Sequence, residues 1–298
     1  MFKKFIVNKD YNNTRFDRWF KHNVFNVPQS FIEKLIRKKK IKVNKKKTKS
    51  SYKVQLNDSI EIFGLENLKP NTKLLKIKYK PTTKEKGIYE NFVIENNDNF
   101  IVINKPPGIP VQGGTKSFKN IVDILKNTKY FERDKPFIVH RLDKETSGVM
   151  ILAKNREYAQ LFTSLFRIRK IHKTYLAIAH GQVKKNINIL KDNLITFEKN
   201  RKIEQNAISY LKVIKSNFQY SFLELKPVTG RKHQLRKQLQ NIGNPVVGDD
   251  KYSGVKFKNK NKKLMLHASK IKFMINDIKY SFTADYNMEF RNMIKKYF

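Results

Sequence analysis

The 298-residue sequence contains no cysteine, which excludes disulfides, thiolate zinc sites and iron–sulfur clusters. It lacks any run of about 18 apolar residues, so no segment reads as a membrane-spanning helix. The opening MFKKFIVNKDYNNTRF carries no apolar stretch of signal-peptide length before its first charges. A soluble, cytoplasmic protein with no membrane partner is expected. Acid is scarce: 25 Asp and Glu stand against 64 Lys and Arg, a net charge of +39. Clustered cations neutralise phosphates and release counterions, so a polyanion such as nucleic acid is the natural partner. Composition alone does not force that reading, because 52 of the cations are Lys and Asn is abundant, as AT-biased coding produces. Apolar residues are plentiful at 39%, with 22 Phe and 13 Tyr. That is enough for a sizeable core and argues against wholesale disorder.

Residues 15–63 read as a compact basic unit. RFDRWFKHN predicts a short helix with Phe16, Trp19 and Phe20 on one side, and FIEKLIRKKK repeats apolar residues at 31, 32, 35 and 36, again a helical spacing. Lys34, Arg37 and Lys38 lie on its other face. IKVNKKK and DSIEIF alternate like two short strands around a basic turn. Each Lys alone reads as a solvated charge; the set suits a nucleic-acid backbone. Residues 65–90 contain Pro70, Pro81 and Gly87 without clean periodicity and read as a linker. From 91 to 298 the chain is strand-rich, with helices expected at 119–126, 156–169 and 231–241. The implied class is α+β: a small α/β basic domain over 1–64, then a mixed, mainly antiparallel sheet with peripheral helices.

Two stretches carry chemistry. FIVHRLDKETSGVMILAKN sets a polar loop, residues 140–148, between two apolar strands, a placement where catalytic groups concentrate. Asp143 stands in it between cations at 141 and 144, the surroundings a carboxylate nucleophile requires. In isolation Asp143, Thr146 and Ser147 read more readily as turn hydrogen-bonders, and His140 reads as structural. In PVTGRKHQLRKQLQNIGNPVVGDDKY, Leu235, Leu239 and Ile242 form an apolar stripe beside His233, Arg236 and Gln240. Arg236 there has the fork to hold a carboxylate from another strand, or a phosphate, through two hydrogen bonds.

Together these stretches resemble the RluA/RluC/RluD group of pseudouridine synthases, over nearly the whole chain. HRLDKETSG looks like that family's signature loop, KTYLA (173–177) like its K-x-Y-x-A strand, and GRKHQLR like its GR-x-HQ-[LI]-R helix. INKPPG (103–108), NPVVGDDKY (244–252) and LMLHA (264–268) match further blocks in order, and residues 15–63 are similar to an S4 RNA-binding domain. VPQSFIEKLIRKKKIKVNKKK and VQGGTKSF look closest to the RluC type, which modifies large-subunit ribosomal RNA. The resemblance implies catalysis by Asp143, Tyr175 and Arg236, the last pairing with the Asp. It implies RNA contacts through Arg141, Arg231, Lys34, Arg37, Lys38 and Lys45. It further implies RNA as the partner with no cofactor and no metal, and a monomer is expected. Two positions depart from the family: Lys237-Gln238 replaces a usual Val-His, and Asn244 a usual His. They bear on local packing or RNA contact.

Overall fold

The computed structural model describes residues 2–64, 79, 81–113, 119–131, 135–198, 201–257 and 263–298. The chain divides into two compact units, Met1–Ile77 and Lys78–Phe298. In the first, β1 (Phe2–Ile6), β2 (Thr14–Arg15), α1 (Phe16–Asn23), α2 (Gln29–Arg37), β3 (Ile41–Val43), β4 (Lys46–Lys47), β5 (Lys53–Val54) and β6 (Ser59–Phe63) follow in order. The helices fall where the apolar spacing put them. Phe16, Trp19, Phe20, Ile32 and Leu35 are buried against Ile41, Ile60 and Ile62 of the sheet β1-β6-β3-β4, each fully buried large side chain stabilising by about 1.5–3 kcal/mol. The expected strand pair exists as β3 against β6; β1 adds a further strand that the sequence did not announce.

The second unit runs α3 (Thr83–Glu90), β7 (Val93–Asn96), β8 (Phe100–Lys105), α4 (Ile121–Leu125), β9 (Phe137–Ile138), β10 (Ser147–Ala153), α5 (Arg156–Arg167), β11 (His172–His180), β12 (Ile189–Glu198), β13 (Arg201–Ser216), β14 (Tyr220–Pro227), α6 (Gln234–Asn241), α7 (Gly254–Phe257), β15 (Leu266–Ile275), β16 (Ile278–Thr283) and α8 (Met288–Tyr297). One large sheet takes the order β12-β13-β14-β11-β15-β10-β8-β7, with β16 on β15 and β9 on β10. Among the described residues its pairs are antiparallel except β10 with β15, so the architecture is the mixed, mainly antiparallel α+β class. No described helix is long and apolar enough to cross a membrane.

Both faces of the sheet's centre are covered, which explains the unbroken apolar run of β10. Val149, Ile151 and Ala153 pack into one cluster, while Met150 and Leu152, pointing the other way, pack into another, as the two-residue side-chain period of a strand requires. A third cluster lies under β11 and β14 and takes Leu235 and Leu239 of α6.

Part of the expected linker is ordered: α3 occupies residues 83–90, started by Thr82 and Glu85, whose side chains each accept from the other's backbone amide. None of its residues is buried, so local capping, with no apolar stripe to flag it, starts the helix there. The rest of the linker, apart from Tyr79 and Pro81, and residues 114–118 of VQGGTKSF lie outside the described residues.

Candidate active site

Three strands bring the chemistry together. Tyr175 on β11 and Gly148 at the start of β10 both register with Ala268 of β15, so they lie two strand spacings apart, about 10 Å. Gly148 has φ +113, and a Cβ there would fall 2.2 Å from the Ala268 carbonyl oxygen; only glycine lets the 140–148 loop enter β10 so close to β15.

The loop itself is the connection of the β9–β10 pair and is pinned from three sides. Leu142 is buried in the core. The buried Lys105 Nζ donates to the carbonyls of Pro106, Ile109 and Lys144 at 2.7, 3.0 and 3.1 Å, and the Gly108 amide also donates to Lys144. The INKPPG turn is thus the seat on which Asp143 rests; burial pushes the Lys105 ammonium down to about 7. His140 Nε2 accepts the Ile151 amide at 2.9 Å. Burial, then the nearby Lys173 charge, push its pKa down to about 3, so it serves as a neutral acceptor that shapes the loop.

Above the loop lies a cleft of about 810 Å³ lined by Asp143, Tyr175, His233 and Arg236 together with Arg141 and Arg231. The expected catalytic trio therefore shares one cavity. Arg141 is exposed at its wall, and Arg231 donates through Nε to the Asn206 carbonyl at 3.0 Å. Lys34, Arg37, Lys38 and Lys45 belong to the first unit, all exposed, the first two on α2 and Lys45 in a left-handed turn at φ 63. Arg167, Arg169 and Lys173 also line the cleft; these were not singled out from sequence. The run RIRK at the end of α5 and the position of Lys173, two residues before Tyr175 on one strand, were the signals. Burial pushes Lys173 down to about 8.

The two-pronged grip expected of Arg236 exists, but its target is Asp249: Nε and Nη2 each donate to a carboxylate oxygen at 2.6 Å. Towards Asp143 the approach is looser, Nη1 to Oδ2 at 3.9 Å. Asp249 belongs to a turn, not to a strand; Gly248 before it has φ +77, and a Cβ there would meet the Lys263 carbonyl oxygen at 2.1 Å. Burial opposes the charge of Arg236, yet hydrogen bonding and the charge of Asp249 outweigh it and raise its pKa. Burial and, second, the charge of Asp143 push the Tyr175 phenol above its usual range, so it keeps its proton at neutral pH.

The helix carrying Arg236 starts three residues later than the spacing suggested. His233 precedes it in left-handed conformation, φ 54. Two buried glutamines on one face fasten α6 to the neighbouring strands. Gln234 donates to the Ile208 carbonyl and Ser209 Oγ; Gln238 accepts from Ser209 Oγ and donates to the carbonyls of Leu190 and Ala207. The departure at Gln238 is thus a packing feature, holding the β12–β13 hairpin to α6. Lys237 Nζ reaches the Ile195 carbonyl of the same hairpin, and Asn244 donates to the His180 carbonyl.

The sequence profile described as RNA pseudouridylate synthase matches residues 99–241, and that of the S4 domain residues 21–60. Ribosomal large subunit pseudouridine synthase C of Buchnera aphidicola is 32% identical over 283 residues, covering 90% of this chain and 88% of its own. The protein of that name from Rickettsia felis is 37% identical over 273 residues, covering 87% and 88%. Among solved structures, human RNA pseudouridylate synthase domain containing 4 shares the fold with a TM-score of 0.62 and 24% identity, over 72% of this chain and 96% of that one. With such relatives aligned along most of both lengths, and a cavity uniting the motif residues, this chain belongs to the RNA pseudouridylate synthase family and carries an S4 domain.

Proposed function

We propose that the chain converts specific uridines of large-subunit ribosomal RNA to pseudouridine, as a cytoplasmic monomer, with Asp143 as the catalytic carboxylate. The observation that carries this reading is the composition of the cleft. Among its described lining residues Asp143 is the one acid, set against seven Lys and Arg. Such a cavity favours a polyanion and aims a single carboxylate into it. Its volume, about 810 Å³, lies within the range of roughly 300–1,000 Å³ typical of ligand sites.

The reaction breaks the N1–C1′ bond of uridine, turns the base over and rejoins it through C5, which then loses its proton while N1 gains one. A base in a duplex must first leave the stack. Asp143 attacks the sugar or removes its proton, and Tyr175 lies against the flipped base with its phenol protonated. Arg236, anchored by Asp249, supplies positive charge beside the carboxylate. Arg141 and Arg231 contact the RNA at the cleft. Lys34, Arg37, Lys38 and Lys45 of the S4 unit add backbone contacts that raise affinity. The names of the relatives support the ribosomal substrate.

The test is a map of pseudouridines in ribosomal and transfer RNA from cells with and without the protein. Loss at defined uridines of large-subunit RNA is expected; loss confined to transfer RNA would overturn the substrate assignment.

A further inference from the structure

Asp143 is approached from two directions. Arg236 Nη1 stands 3.9 Å from Oδ2, and His233 Nε2 stands 3.6 Å from Oδ1, one partner for each carboxylate oxygen. On its other side His233 Nδ1 lies 2.7 Å from the Tyr252 hydroxyl. The Tyr252 ring in turn lies under the Arg236 guanidinium, 5.1 Å from its carbon. Tyr252 therefore underpins both partners of the carboxylate. Its own turn is fixed by Asp249, whose Oδ1 accepts the Lys251 and Tyr252 amides at 3.0 Å each.

The tautomer of His233 follows from these contacts. Burial lowers its pKa; Asp143 opposes this, while Arg236, Lys251 and Lys232 add to it. The net direction is down, so the ring is neutral at pH 7 with one N–H. Burial pushes the Tyr252 phenol up, against the charge of Arg236 and with those of Asp249 and Asp143, so its hydroxyl retains a proton to donate to Nδ1. The remaining proton then sits on Nε2 and faces Asp143 Oδ1. The opposite tautomer would turn a lone pair towards a carboxylate oxygen. His233 also holds a left-handed backbone, φ 54, a conformation uncommon outside glycine that Asn, Asp and His adopt more readily than other residues.

We infer that His233 is a positioning residue: its Nε2–H, with the tautomer set by Tyr252, orients the Asp143 carboxylate opposite Arg236 for attack. At 3.6 Å the contact is longer than a full hydrogen bond, and such contacts in a substrate-free site tighten once substrate is bound. This inference rests on the role assigned above to Asp143.

Three variants test it, by single-turnover conversion of an RNA transcript that the unaltered protein modifies, alongside the Kd for that RNA and thermal melting. In His233→Gln the amide nitrogen reaches the place of Nε2 and restores a donor to Asp143. In His233→Asn the amide nitrogen reaches only the place of Nδ1, although Asn suits the left-handed backbone better. The expected order of rates is wild type, then Gln, then Asn. Asn should be slowed by roughly ten- to a hundredfold, the worth of one hydrogen bond to a charged group, with Kd and melting temperature unchanged. Tyr252→Phe should also slow turnover without changing Kd. A purely structural His233 predicts the reverse order, with Asn the better replacement and losses of rate that follow losses of melting temperature; that result would overturn the inference. An inactive Asp143→Asn control beside a fast His233→Asn would refute the positioning role alone, whereas an active Asp143→Asn would refute the reading beneath it.

Discussion

Arg236 faces three carboxylates, Asp249, Asp143 and, at 3.9 Å, the exposed Asp250, and separating the first two is the most informative perturbation of the site. Its grip on Asp249 is buried and two-pronged, at 2.6 Å twice, so Arg236→Ala leaves a buried carboxylate without a counter-charge. Breaking such a pair costs about 3–5 kcal/mol. A domain of this size moves about 2–4 °C per kcal/mol, so melting should fall by roughly 6–20 °C. Its second interaction, with Asp143 at 3.9 Å, amounts to about 4 kcal/mol at an effective dielectric of 20. The Asp143 side chain is 24% exposed, and solvent screening reduces that to about 1.5–3 kcal/mol, roughly ten- to a hundredfold in rate. The double variant Arg236→Met with Asp249→Asn removes both buried charges while leaving an oxygen for the Lys251 and Tyr252 amides. It should recover most of the melting temperature and none of the rate. Arg236→Lys should recover part of each, because an ammonium cannot span both oxygens of Asp249. Calorimetry and single-turnover conversion of uridine read the two effects separately. A double variant with restored melting and wild-type turnover would refute the claim that this charge assists Asp143.

Three further outcomes are expected. Tyr175→Phe keeps the ring, and base–aromatic stacking is worth about 1–3 kcal/mol, so the variant should bind RNA normally but turn over slowly; full turnover would leave the hydroxyl without a role. Lys173, pushed down to about 8, carries charge below that pH and loses it above, so RNA affinity should weaken as pH rises from 7 to 9. Lys173→Arg should abolish that particular dependence, and filter binding across this range would show an unchanged slope if the residue does not contact RNA. A protein beginning at Lys78 keeps Tyr79 and Thr82, both partners of Glu85; it should fold, bind RNA more weakly and show a shallower salt dependence. Binding equal to full length at several salt concentrations would contradict a backbone-contact role for the S4 unit.

Much of this was legible in the residues. The apolar spacings of α1 and α2 and the alternation of β3 and β6 reported burial directly, because period-3.6 and period-2 faces meet a real core. The loop around Asp143 was legible as polar sequence between two apolar strands. Elements held by other means were not. The helix α3 rests on a cap and buries nothing, so no stripe announced it. The strands β12, β15 and β16 went unremarked. The partner of Arg236 lies 13 residues downstream in a turn, a contact that no periodicity encodes. Nor does spacing reveal that His233 takes a left-handed backbone, or that Gln234, Arg236 and Gln238 beside it are all buried.

The role proposed for Asp143 makes it the group without which no pseudouridine forms. Asp143→Asn preserves size and removes the charge and nucleophilicity from a loop side chain whose approaches to Arg236 and His233 are loose, at 3.9 and 3.6 Å, so fold and RNA affinity should persist. Conversion of uridine in ribosomal RNA, read by carbodiimide-dependent primer-extension stops with melting and RNA binding measured in parallel, is the direct test. No stops are expected from a correctly folded, RNA-bound Asp143→Asn protein. Measurable turnover by that protein, with deamidation back to Asp excluded by mass spectrometry, would contradict that role.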